Sequence, residues 1–181
     1  MSYVVSIDVG IKNLGICVFD FSSSKFVCWK NCSLVTSGRY IPSNNVNYIR
    51  SFINEHSQYL DNSVAVLIER QMRCNMRIIE SVLHALYFDN CIIIQPRAVK
   101  MHYDLGTKNY RHNKDKAVSW VKQFLHFNRS AFTENTIQAF EGAPKKDDLA
   151  DALIMVLYYL DTYSKHLDTH ELEVSSFDVD F

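Results

Sequence analysis

The chain predicts an α/β fold: a mixed five-stranded sheet, three strands antiparallel and two parallel, flanked by helices. Three observations carry that prediction. Residues 1–34 contain three apolar, β-branched runs separated by short polar turns, the pattern of an antiparallel meander. Two further apolar runs, VAVLIE and CIIIQ, each follow a segment with helical spacing, as crossover connections require. The final third is almost entirely helical in its spacing.

Taken in order, residues 3–9, 15–20 and 25–34 read as strands, joined by GIKNLG and by an SSS turn. Ile49, Phe52, Ile53 and Leu60 then share one helix face, which the sequence DNS ends. Residues 64–69 form a buried strand. A second helix over about 73–88 carries Ile78, Ile79, Val82, Leu83 and Leu86 on one side and leads to CIIIQ, which Pro96 stops. Asn113 is suited to cap a helix bearing Val118, Val121, Phe124 and Leu125, and Thr133 a short one ending at Gly142. After Pro144 a last helix runs over about 146–163.

The 181 residues, 48% of them hydrophobic, can bury a full core, and the length argues for one domain. That domain is expected over residues 1–165, with an acidic tail over 166–181. No apolar run is long enough to span a bilayer, and the N-terminus has no basic stretch before an apolar signal core, so a soluble protein is expected. Five cysteines, odd in number and without CxxC spacing, point away from a disulfide framework and towards a reducing compartment.

A net charge of −1 conceals an asymmetry. From Asp161 onward six acids face only Lys165, a local charge of −5 that leaves +4 on residues 1–160. Residues 97–129 hold eight basic side chains against Asp104 and Asp115, a plausible phosphate-contacting surface. Basic residues on a helix face also serve simply to solvate it.

Four carboxylates bear on chemistry: Asp8 in YVVSIDVG, Glu69 in VAVLIERQ, and Asp148 and Asp151 in KKDDLADALI. The first two end apolar strands, where an acid is a poor choice for stability. The last two, at i and i+3, share one helix face. A right-handed crossover can lay the 64–69 strand parallel to and beside the first, bringing Glu69 next to Asp8. Clustered acids repel by roughly 4 kcal/mol at 4 Å and an effective dielectric near 20, so they take up protons or bind cations. An all-oxygen ligand set selects Mg²⁺ or Mn²⁺, and two such ions can drive in-line hydrolysis of a phosphodiester. Taken singly each acid has a duller role: Asp8 as a turn former, Glu69 paired with Arg70, Asp147 or Asp148 complementing a helix N-terminus.

The order of elements is that of the ribonuclease H-like fold, and SIDVGIKNLGICVFD resembles the opening motif of the RuvC-type Holliday junction resolvases. IERQMRCNMRIIESVLHALYF and KKDDLADALI are similar to the branch of that family containing the fungal mitochondrial and poxvirus resolvases, and the resemblance covers the chain apart from its tail. It implies a homodimeric endonuclease that nicks two opposed strands of a four-way DNA junction, uses no nucleotide cofactor and no membrane, and, if viral, works in the host cytoplasm. Asp8, Glu69, Asp148 and Asp151 match the family's metal-binding acids. A lysine contacting the reacting phosphate or water falls at Lys114 or Lys116, and Lys114 is preferred. Arg70, Gln71, Arg73, Arg77, Lys108, Arg111 and Lys116 are the expected DNA contacts. Nucleases of the same fold acting on other branched DNA or RNA, or a junction binder that does not cut, fit the same residues.

Overall fold

The structure is a computed structural model that describes residues 2–107 and 110–163. Five strands, β1 (Tyr3–Asp8), β2 (Leu14–Asp20), β3 (Lys25–Cys32), β4 (Ser63–Glu69) and β5 (Cys91–Ile94), form one sheet in the order β3-β2-β1-β4-β5. The first three pair antiparallel, whereas β4 joins β1 and β5 joins β4 in parallel. That is the expected mixed sheet. A tight turn links β1 to β2: a Cβ on Gly10 would lie 2.1 Å from the Asn13 carbonyl oxygen, which only glycine tolerates.

Helices cover both faces. On one lie α1 (Asn45–Glu55), α2 (Ser57–Leu60) and α3 (Cys74–Leu86); on the other α4 (Pro96–His102), α5 (Tyr110–Phe127), α6 (Glu134–Gly142) and α7 (Lys146–Tyr163). The alternation along β1 sorts the two cores. Tyr3, Val5, Ile7 and Val9 pack under α1–α3, while Val4, with Ser6 and Asp8 in the same parity, faces α7.

Helix α7 is buried nearly all round, through Leu149, Ala150, Ala152, Leu153, Ile154, Met155, Val156 and Leu157, because the sheet lies on one side and α5 on the other. Its first turns are fixed to the sheet by side chains. Ser6 Oγ donates to the Ala152 carbonyl at 2.6 Å and Trp29 Nε1 to the Leu149 carbonyl at 2.9 Å. Close approach is permitted at β2, where a Cβ on Gly15 would fall 2.4 Å from the Asp148 carbonyl oxygen.

Several local expectations need correction. The helix expected around residues 49–60 is broken at His56, whose φ of −114° and ψ of 15° end α1; the ring turns inward, with Nδ1 2.8 Å from the Phe52 carbonyl oxygen. Asn113 does not cap α5. The helix begins at Tyr110, and the Asn113 side chain instead grips the incoming loop, accepting from the Thr107 amide at 2.7 Å and donating to its carbonyl at 3.0 Å. Helix α4 was not expected at all: Pro96 ends β5 as predicted but also opens a seven-residue helix, where a proline's missing N–H costs nothing. Thr133 caps α6 as expected, accepting from the Thr136 amide at 3.4 Å.

All five cysteines are free thiols. Among the described residues no helix is long and apolar enough to cross a membrane. The tail expected over 166–181 lies outside the described residues.

Candidate active site

Parallel pairing of β1 with β4 sets the centre of the site. Ile7 pairs with Ile68, so one residue further on Asp8 and Glu69 stand side by side at the carboxyl ends of adjacent strands. Both belong to the parity that faces α7, whose first two turns carry Asp148 and Asp151. The four predicted acids line one cleft of 890 Å³, together with Lys12, Tyr40, Gln71, Arg73, Lys100, Lys114 and Lys145.

Their charges interact. Burial pushes the Asp8 carboxyl well above the usual carboxylate range, and the Glu69 charge and a hydrogen bond between the two carboxyl groups push it further, with smaller contributions from Asp151 and Asp148. Burial also raises Asp151 to about 6; the Lys100 ammonium opposes this and Glu69 adds to it. Asp148 is raised by burial and by neighbouring Asp147, against Lys145 and Lys114. Three acids whose charge is unfavourable and which line one cleft fit a hard cation by their donor chemistry. Among the described residues, no three His, Cys, Asp or Glu side chains yet close into a single ligand cage.

The cations beside the acids explain part of that spread. Lys100 Nζ lies 3.5 Å from Asp151 Oδ1, and Lys114 Nζ pairs with Asp147 Oδ2. Burial raises Asp147, but the hydrogen bond and charge of Lys114 outweigh it and hold the carboxyl below its usual range. Asp147 is thus the partner of a cleft lysine. Of the two candidate lysines, Lys114 lines the cleft and Lys116 does not.

The expected DNA contacts separate. Arg73 lines the cleft, and Arg111 a neighbouring depression shared with Lys114, Lys146 and Asp147. Arg70 and Gln71 also line the cleft yet have internal partners: Arg70 Nη1 lies 3.1 Å from Glu80 Oε1, and Gln71 Nε2 donates to Glu69 Oε2 at 3.0 Å. Arg77 lies on the outer face of α3 beside Met72, Ile78 and Leu86. Lys108 lies outside the described residues.

Sequence reasoning missed Lys100, Lys12, Lys145 and Tyr40. Lys100 belongs to the unforeseen α4, and a proline followed by an apolar residue at the next turn, Pro96 and Val99, was the available signal. Lys12 sits in the turn directly after Asp8, and Lys145 directly before α7; proximity to the acids marked both.

No curated protein matches the chain in sequence. Among solved structures, the fowlpox virus Holliday junction resolvase is 19% identical, covering 88% of this chain and 97% of that one, with a TM-score of 0.62. The same resolvase in complex with Holliday junction DNA gives a TM-score of 0.63 at 19% identity over 88% and 97% of the two chains. Thermus thermophilus RuvC is 15% identical over 88% of this chain and 95% of its own, with a TM-score of 0.57. The fold is therefore the RuvC-like ribonuclease H fold. The family model described as Poxvirus A22 protein matches residues 2–163, a span that contains every described residue, and the protein belongs to that family.

Proposed function

We propose that the protein is a divalent-metal-dependent endonuclease that resolves four-way DNA junctions by paired nicks. The observation that carries this reading is the adjacency of Asp8 and Glu69 beneath Asp148 and Asp151, an all-oxygen acid group placed in an open cleft with basic walls. Support for the substrate comes from the relatives: the fowlpox resolvase and T. thermophilus RuvC each have a solved structure in complex with a Holliday junction.

Asp8, Glu69, Asp148 and Asp151 would hold Mg²⁺ or Mn²⁺. One or two such ions would supply an activated water and a counter-charge for the leaving oxygen of the phosphodiester. The chain's own residues do the rest. Ser6 and Trp29 fix α7 so that Asp148 and Asp151 stay above β1. Lys114 presents an ammonium at the cleft, placed to meet a phosphate oxygen, while Asp147 orients it. Arg73 and Lys12, which are exposed and also line the cleft, would meet the DNA backbone, positioning the duplex without reading sequence.

A homodimer suits a two-fold substrate, since each subunit brings one acid group to one of two symmetry-related strands. Cleavage of a synthetic four-way junction, beside linear duplex, Y-shaped and RNA-containing controls in Mg²⁺, tests the assignment together with light scattering for the dimer. Junction-selective, metal-dependent cutting by a dimer is expected. Equal cutting of all substrates would assign a broader nuclease, and junction binding without any cutting would assign a structural role.

A further inference from the structure

Helix α3 reaches the acid group through a chain of hydrogen bonds. Glu80 lies inside α3 and is 4% exposed, an unusual position for an acid on a helix whose other buried residues are Ile79 and Leu83. Its carboxylate is satisfied by the segment that leaves β4. Arg70 Nη1 lies 3.1 Å from Glu80 Oε1, and the Gln71 backbone amide donates to Glu80 Oε2 at 2.7 Å. That pins the backbone two residues beyond Glu69. The Gln71 side-chain amide then turns back, donating to Glu69 Oε2 at 3.0 Å and reaching the Glu69 carbonyl oxygen at 3.3 Å.

We infer that Gln71 is a positioning residue for the Glu69 carboxylate, set in place by Glu80, and that together they leave one Glu69 oxygen directed at the cation. The inference rests on the metal-site reading above. An amide can only donate to an ionised carboxylate here, so it holds Oε2 without adding charge to the acid group. A lysine at the same place would hold the carboxylate too, but would compete with the metal. A ligand carboxylate fixed by a second residue loses less rotamer freedom on binding an ion, and removal of such outer partners weakens metal affinity or activity by about 10–100-fold. This role for Gln71, with Arg70 holding Glu80, is separate from the phosphate contact that their place after Glu69 in the sequence first suggested.

The test is Mn²⁺ binding to the full-length protein without DNA, by calorimetry, for wild type, Gln71→Ala, Glu80→Ala and Glu80→Gln. Gln71→Ala removes a half-exposed side chain, so its unfolding temperature in chelator should match wild type. Its Mn²⁺ affinity should fall about tenfold or more, while junction binding in chelator is unchanged and excess Mn²⁺ restores the cleavage rate. Glu80→Ala should show the same loss, and Glu80→Gln, which keeps an oxygen for the Gln71 amide, should recover most of it. Wild-type Mn²⁺ affinity in Gln71→Ala with weakened junction binding would overturn the inference and make Gln71 a DNA contact. Absence of Mn²⁺ binding by the wild type would instead overturn the metal-site reading, and this inference with it.

Discussion

Gly15 and Asp148 touch through backbone alone: the Asp148 carbonyl oxygen lies 2.4 Å from where a Cβ on Gly15 would be. Gly15 in turn pairs with Asp8 across β1 and β2. The missing methyl group therefore permits the close approach that the Ser6 and Trp29 hydrogen bonds hold between the acids of the sheet and those of α7.

Gly15→Ala should push the start of α7 away from β2. Overpacking of this kind costs about 1–3 kcal/mol, and urea unfolding should show a loss in that range. Cleavage should fall further than stability accounts for, since Asp148 and Asp151 move with the helix. A variant as stable and as active as wild type would show that α7 is not held at this contact.

The acids should make the metal-free protein less stable as pH rises. Asp8, Asp148 and Asp151 have folded-state affinities for protons above their unfolded values, so the folded chain binds more protons between about pH 4 and the raised pKa values. Their contribution is full below the unfolded value and is lost as pH rises, through about 6 in the case of Asp151. Metal should reverse this. Thermal unfolding in chelator and in Mg²⁺ should therefore diverge between pH 5 and 7.5, with the metal-induced rise in Tm largest at the higher pH. Asp8→Asn should raise the chelator Tm by a few degrees and shrink the metal-induced rise.

Lys114 and Lys116 should behave differently. Loss of a charged group that stabilises a transition state typically costs about 10²–10³ in rate. Lys114→Met should approach that loss in single-turnover cleavage with junction affinity little changed, whereas Lys116→Met should cut normally. The reverse order would return the role to Lys116.

Junction affinity should fall steeply with salt, by a slope of about −0.9 per phosphate neutralised. Arg73→Ala and Lys12→Ala, both at the cleft rim, should each lower that slope by about one. Arg77→Ala, on the outer face of α3, should leave it unchanged.

Much of this centre was legible in the chain. Strand parity placed Ser6 and Asp8 on one face, and the right-handed crossover rule placed Glu69 beside Asp8. The i, i+3 spacing placed Asp148 and Asp151 together. These are periodic or local rules, and α7 kept its expected bounds of 146–163 because its apolar run is long. What escaped was short or long-range. Helix α4 has seven residues, too few for a periodicity, so Lys100 was counted as part of a basic stretch and not as Asp151's partner. The break at His56 depends on a buried imidazole, and Asn113 on a loop six residues away. The pairing of Arg70 and Gln71 with Glu80 escaped because that partner, on the next helix, is visible only when α3 packs against the end of β4.

The most direct test of the central claim is single-turnover cleavage of a four-way junction in Mn²⁺ by wild type and Asp8→Asn at matched occupancy of the DNA. Wild type should place symmetric nicks in opposed strands, and Asp8→Asn should bind the junction with similar affinity and leave it intact. Cleavage by Asp8→Asn at the wild-type rate would contradict the assignment of the β1, β4 and α7 acids as the hydrolytic centre.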